Sequence, residues 1–223
     1  MVSYSPGRVL RTRPTSLRPA LLIVLVAGLV PVGAAAASTG STVDQVVLRA
    51  AQVGPGFTRH TLLGGSQVRN QVTLDLCGQT FKSESLRTAR LQVVYTKPGG
   101  TTALSNEVVT YRGRGAQEAL AEVQHVASHC PTAPQTGPAP GEGPARYKTT
   151  ILRGPGLLPD VVAVVLHING LIGGRQVVAN AVIVYQVRKN VLSAVYTYGP
   201  KLPAQIKLGI HAAGEAAANL RRI

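Results

Sequence analysis

Tryptophan is absent and phenylalanine occurs only twice, so the chain lacks the aromatic platforms on which nucleic-acid grooves stack bases. Acidic residues number nine against 23 lysines and arginines. None stand as a close pair on a strand end, which removes the paired carboxylates of a glycosidase. With two cysteines, Cys77 and Cys130, and no further ligand announced near either, a structural zinc cluster is excluded. Glycines are plentiful, but Gly-Gly-Ser-Gln-Val around Ser66 lacks the second glycine of a nucleophile elbow. Gly-Leu-Ile-Gly-Gly-Arg from Gly170 has no following Lys-Ser/Thr and is flanked by strands, so it is a turn and not a phosphate cradle. The residue census yields no nucleophile–base pair, no cofactor motif and no metal site.

The N-terminus carries Arg8, Arg11, Arg13 and Arg18, then an uncharged apolar run from Ala20 to Ser38 that ends in small residues. A basic leader, an apolar stretch and an Ala-x-Ala-like end are the marks of an export signal. Residues 1–37 are expected to be a cleaved signal peptide, with an uncleaved membrane anchor as the alternative. No cysteine follows the apolar run to take a lipid, and no Arg-Arg pair marks twin-arginine export. The remaining stretch, 38–223, suits one domain of about 185 residues with its own core. Four arginines and no acids leave with the leader, so the mature charge is +10 out of +14. Outside a cell, that charge would draw anionic lipid or wall polymer rather than nucleic acid.

Along the mature chain, Ser41–Gln52 reads as a short helix capped by Ser41 or Thr42. Thr58–Leu63 and Val68–Leu76 read as extended, and Ser83–Thr88 as one helical turn. Ala89–Thr96 and Leu104–Arg112 flank Pro98-Gly99-Gly100, the signature of an antiparallel hairpin. Ala116, Ala119, Leu120, Val123, Val126, Ala127 and Cys130 fall on one helical stripe. Residues 131–144 read as a Pro/Gly-rich loop. Three β-branched strands follow, with the central run Val177–Val187 expected to be covered on both faces. A last helix would bury Ile206, Ile210, Ala213, Ala217 and Leu220. Short turns between strands and segregated helices give an α+β fold, an antiparallel sheet with helices packed against it.

Cysteines in an exported chain pair as a rule. Cys130 ends an apolar stripe and Cys77 ends an apolar run beside Gly78, so one Cys77–Cys130 disulfide is expected. A thiolate role would need His125 or His129 beside Cys130. On the helix His125 points away from the stripe and His129 lies on its flank, so both read as solvated. His60, His167 and His211 likewise read as ordinary strand or helix residues.

The segment Thr73–Pro131 resembles the PknH-like extracellular sensor domains of actinobacteria and their stand-alone secreted relatives. The features that carry the resemblance are LDLCG, F-x-SE-x-LR, R-x-Q-V-x-Y, LSNEVV-x-Y and an amphipathic helix ending in CP. A later G-x-x-V-x-A strand and the terminal helix extend it loosely over residues 41–222. The resemblance implies an antiparallel sheet packed by helices, a groove suspected of holding a ligand, and no catalytic residues. Such domains carry two disulfides, whereas this chain can form one.

The expected function is therefore a secreted, non-catalytic, sensor-like domain of the cell envelope that binds an unknown small molecule or lipid. Tyr95, Tyr111, Tyr185, Tyr196 and Tyr198 alternate on the inferred strands and are the candidate pocket residues. The alternative is a basic envelope-surface protein held to anionic lipid or wall polymer. An enzyme is the third and weakest reading.

Overall fold

The computed structural model describes residues 41–100, 103–138, 142–172 and 175–223. The expected signal peptide lies outside them, as does the Gly173-Gly174 turn. Among the described residues, eight strands form one sheet with the order β1-β2-β3-β8-β7-β6-β5-β4. The strands are β1 (Thr58–Thr61), β2 (Arg87–Thr96), β3 (Ala103–Tyr111), β4 (Gln135–Thr136), β5 (Glu142–Ile151), β6 (Val161–Ile172), β7 (Arg175–Arg188) and β8 (Val191–Tyr198). Every pairing is antiparallel. The expected β2–β3 hairpin forms with Tyr95 opposite Leu104. Lys189, at φ 52°, turns β7 into β8.

Each face of the sheet is covered by helix. On one side lie α1 (Thr42–Val46), α2 (Ala50–Val53) and α4 (Leu202–Leu220), burying Leu91, Val93, Tyr95, Leu104, Val184 and Val195. On the other lie α3 (Gly115–Ser128) and two 3₁₀ turns, Leu76–Gly78 and Lys82–Leu86, which cover Val109, Tyr111, Ile183, Tyr185, Leu192 and Tyr196. Odd and even residues of each strand thus serve two cores, as the period of two requires. The α+β class and its single antiparallel sheet stand as expected.

Several local expectations are corrected. The single helix over Ser41–Gln52 is two pieces, because the chain at Leu48 bonds to the sheet instead of to itself. The Leu48 N–H donates to Asn106 Oδ1 at 2.9 Å, and the Leu48 carbonyl accepts from the Tyr95 hydroxyl. Ser41 does cap the first piece, accepting from the Asp44 N–H. Val68–Leu76 is not a strand; side chains rather than a neighbouring strand satisfy its backbone, as described below. The loop after α3 contains β4, and β5 starts inside it, giving five strands and not three before α4. β7 is covered only from Ala181 onward, leaving Val178 80% exposed.

The buried face of α4 is also rotated from expectation at its start. Gln205 and Gly209 are buried there, while Ile206 and Ile210 are half-exposed. Gln205 donates its side-chain amide to the Gly199 carbonyl and accepts the Thr197 hydroxyl on its own carbonyl at 3.1 Å. Hydrogen bonds to β8 therefore override the apolar periodicity. At Gly209 a Cβ would come within 3.1 Å of Val182 Cγ1, so glycine is what lets the helix approach β7 so closely. Ala213, Ala217 and Leu220 are buried as expected.

Candidate ligand cleft

Cys77 and Cys130 are joined by a disulfide with their Cα atoms 5.7 Å apart. The bridge ties the end of α3 to the Leu76–Gly78 turn, on the α3 side of the sheet. Cys77 sits at φ 56° and Gly78 at φ 67°, a left-handed pair that turns the chain sharply. A Cβ on Gly78 would lie 2.9 Å from Gln135 Cβ and 3.2 Å from Tyr147 Cε2. Glycine there brings the turn down onto the β4–β5 edge, where Tyr147 stands.

Upstream of the disulfide, residues 71–75 lie outside the strands of the sheet. Scarce carboxylates do the work of a ladder. The N–H groups of Thr73 and Leu74 donate to the two oxygens of Glu84, at 3.1 and 3.2 Å. The Thr73 carbonyl accepts from the Tyr196 hydroxyl at 3.1 Å. The Thr73 hydroxyl donates to Glu107 at 2.8 Å and accepts from Arg87, which also pairs with Glu84 at 3.1 Å. A third acid, Glu122 of α3, accepts from the Lys82 and Ser83 N–H groups at 3.2 Å each.

Glu107 and Arg90 form an ion pair inside this arrangement, each side chain 2% exposed. Arg90 further donates to the carbonyls of Gly64, Gly65 and Gln67 and to Gln92 Oε1. Burial pushes the Glu107 carboxyl up to about 7, against the opposing pull of Arg90 and Thr73. Burial likewise raises Glu84 above its ordinary value, opposed by its backbone donors and by Arg87. Arg90 and Glu107 were not among the expected site residues. The available signal was a charge at the centre of each otherwise apolar strand, in ARLQVVYT and LSNEVVTYR, where an unpaired charge could not be buried.

Between the 72–75 segment and the sheet lies a cleft of about 210 Å³. Glu107, Gln92 and Asp75 supply its polar wall, while Leu166, Ile168, Ala181 and Ile183 supply the apolar one. Tyr196, Tyr198 and Tyr147 complete it. Tyr196 and Tyr198 stack nearly parallel, 6.5 Å between centroids, and Tyr185 meets Tyr196 edge-on at 6.0 Å. Burial raises the phenols of Tyr185 and Tyr196 well above their ordinary value, so both stay neutral.

Of the five expected tyrosines, then, Tyr196 and Tyr198 line the cleft and Tyr185 backs it. Tyr111 is buried in the same core beneath α3 and lies outside the cleft lining. Tyr95 is buried on the opposite face, bonded to Leu48. Tyr147 joins the group without having been expected. His125 and His129 are exposed and stack on each other 4.6 Å apart, and Cys130 is in the disulfide. His167 meets Asn180 at 2.5 Å. Among the described residues no three histidine, cysteine or acidic side chains gather as a metal site, and no helix is long and apolar enough to cross a membrane.

No protein-family model matches the sequence, and no curated protein matches it. Solved structures do. The crystal structure of the extracellular domain of PknH from Mycobacterium tuberculosis superposes with a TM-score of 0.50 at 16% identity, covering 81% of this chain and 95% of that one. The two chains share a fold. An X-ray structure of an uncharacterised Mycobacterium smegmatis protein, the Rv0999 ortholog, gives a TM-score of 0.40 at 12% identity over 78% of this chain and 97% of its own.

Proposed function

We propose that the chain is a non-catalytic, extracytoplasmic ligand-binding domain of the sensor type, holding a small, partly apolar molecule in the tyrosine cleft. The observation that carries this reading is the cleft's construction. A segment outside the strands is fixed over the sheet by Glu84, Glu107 and Tyr196, leaving an apolar floor and an aromatic rim beside it. Concave, mostly apolar space with a few placed polar groups is what small-molecule sites share.

The chemistry of the lining favours binding over turnover. Neither a histidine nor a free thiol lies on the cleft wall, and its one deeply buried carboxylate is already engaged by Arg90 and Thr73. The fold shared with the PknH extracellular domain and the export-type leader support an extracytoplasmic setting. The basic-surface reading stands second. Arg87 and Arg90 spend their charge inside the fold on Glu84 and Glu107, whereas Arg112, Arg146 and Arg221 donate to backbone carbonyls and stay exposed.

Native mass spectrometry of protein purified from its own host tests the reading. A retained small molecule, lost when Tyr198 is replaced by alanine, supports it. Binding confined to anionic vesicles and abolished by salt would replace it with the surface-association reading.

A further inference from the structure

The β5–β6 connection, residues 152–160, is not a slack loop. The Leu152 N–H donates to the Ala163 carbonyl at 2.7 Å, and the Leu158 N–H to Gln186 Oε1 at 2.9 Å. Arg221, at the end of α4, donates to the carbonyls of Gly156 and Leu157 at 3.1 and 3.3 Å. Held this way, the connection stands off from α3 and leaves a cavity of about 450 Å³ between them. Ile151, Leu152, Leu157, Val162 and Ala127 supply its apolar wall, and Gln124, Ser128 and Arg153 its polar one. Ile151 is 55% exposed at its mouth. Among the described residues, Arg153 is the one charged side chain on the wall, and it is exposed at the surface. A second groove continues past Arg153 and Gly154 along α4, with Ile206 and Ile210 beside Lys207 and Arg221.

We infer that this cavity binds a single-chain anionic amphiphile, a long-chain carboxylate whose hydrocarbon lies against Leu152, Leu157 and Val162 and whose head group meets Arg153. The volume falls in the range of small-ligand sites. The apolar part of the wall takes the hydrocarbon, because burial of methylenes is favourable and non-directional. A guanidinium is the cation whose planar fork matches a carboxylate. One cation on an otherwise uncharged wall fits one negative head group. The cavity shares no lining residue with the tyrosine cleft, so the two assignments stand or fall separately.

The test uses the purified protein and palmitate, with hexadecanol as the uncharged counterpart, followed by displacement of a fluorescent fatty acid. Ser128 and Arg153 are both exposed, so substitutions there leave the core intact. Palmitate should bind saturably. Arg153→Glu should weaken palmitate by about tenfold, the loss of one charge-assisted contact, while leaving hexadecanol unchanged. Ser128→Trp, which places an indole at the cavity wall, should reduce both. Absence of saturable palmitate binding overturns the inference. So does palmitate affinity that is unaffected by Arg153→Glu or by Ser128→Trp.

Discussion

The guanidinium of Arg90 meets the carboxylate of Glu107 inside the sheet, joining β2 to β3 on the α3 face, with both side chains 2% exposed. Taking both ions out of water is costly, and the pair persists because its other donors and acceptors are satisfied by Thr73, Gln92 and three loop carbonyls. Burial holds the Glu107 carboxyl up to about 7, above the ordinary 4.5. Between those values the folded chain binds more protons at this site than the unfolded chain. The contribution is complete below the unfolded value and is lost as pH rises through the folded one. Urea unfolding at about pH 5 and about pH 8 should therefore show wild type losing on the order of 2 kcal/mol relative to Glu107→Gln. A difference of the opposite sign would mean that the Arg90 pairing outweighs desolvation.

The Cys77–Cys130 bridge spans 53 residues of sequence. Its chain-entropy term is about 4 kcal/mol, and native disulfides in small exported domains are typically worth about 2–5 kcal/mol. Replacing both cysteines by alanine should lower unfolding stability within that range. In hydrogen exchange, amides that open only by global unfolding should lose that amount on both faces of the sheet, and residues 72–78 and the end of α3, which the bridge ties together, should lose more through local opening. Unchanged protection at residues 72–78 would contradict the expectation.

Tyr95 and Tyr111 are buried phenols in opposite circumstances. The Tyr95 hydroxyl donates to the Leu48 carbonyl, whereas the Tyr111 hydroxyl has no hydrogen-bond partner among the described residues. Tyr95→Phe should cost about 1 kcal/mol or somewhat more, since it leaves the Leu48 carbonyl unsatisfied. Tyr111→Phe should be neutral or stabilising. Thermal denaturation of the two variants checks the contrast, and equal costs would contradict it.

The hairpin β2–β3 and helix α3 were legible because their signals are local: alternation, a turn and an apolar stripe. The disulfide was legible because the chain holds only two cysteines. The break in the first helix was not, because Asn106 and Tyr95 lie 58 and 47 residues from Leu48. The buried face of α4 was misjudged for a related reason. Apolar periodicity selects Ile206 and Ile210, but Gln205 is held by Thr197 of β8 and by Gly199 just past its end. The tyrosines divide the same way. Tyr196 and Tyr198 share a face by alternation within one strand, whereas Tyr95 belongs to the face it shares with Leu91 and Val93. Tyr147 stands between the loop read to residue 144 and the strand run that follows it, so its place on β5 facing the cleft carried no signal of its own.

The cleft itself yields the last expectation. Tyr198 is 46% exposed at the rim and stacks on Tyr196, whose hydroxyl holds the Thr73 carbonyl. Truncating Tyr198 to alanine removes one aromatic wall while leaving Tyr196 and the 72–75 segment in place. Stability should change by no more than about 1 kcal/mol, a surface-like effect plus one ring contact. Affinity for the molecule retained from the host should fall by about tenfold or more, since an aromatic wall contributes at least that much in a site this small. Tyr196→Phe separates the two roles. It keeps the ring but drops the bond to Thr73, so it should destabilise residues 72–75 in hydrogen exchange and weaken binding through that segment. Unchanged affinity in both variants, with the folded state intact, would move the ligand out of this cleft.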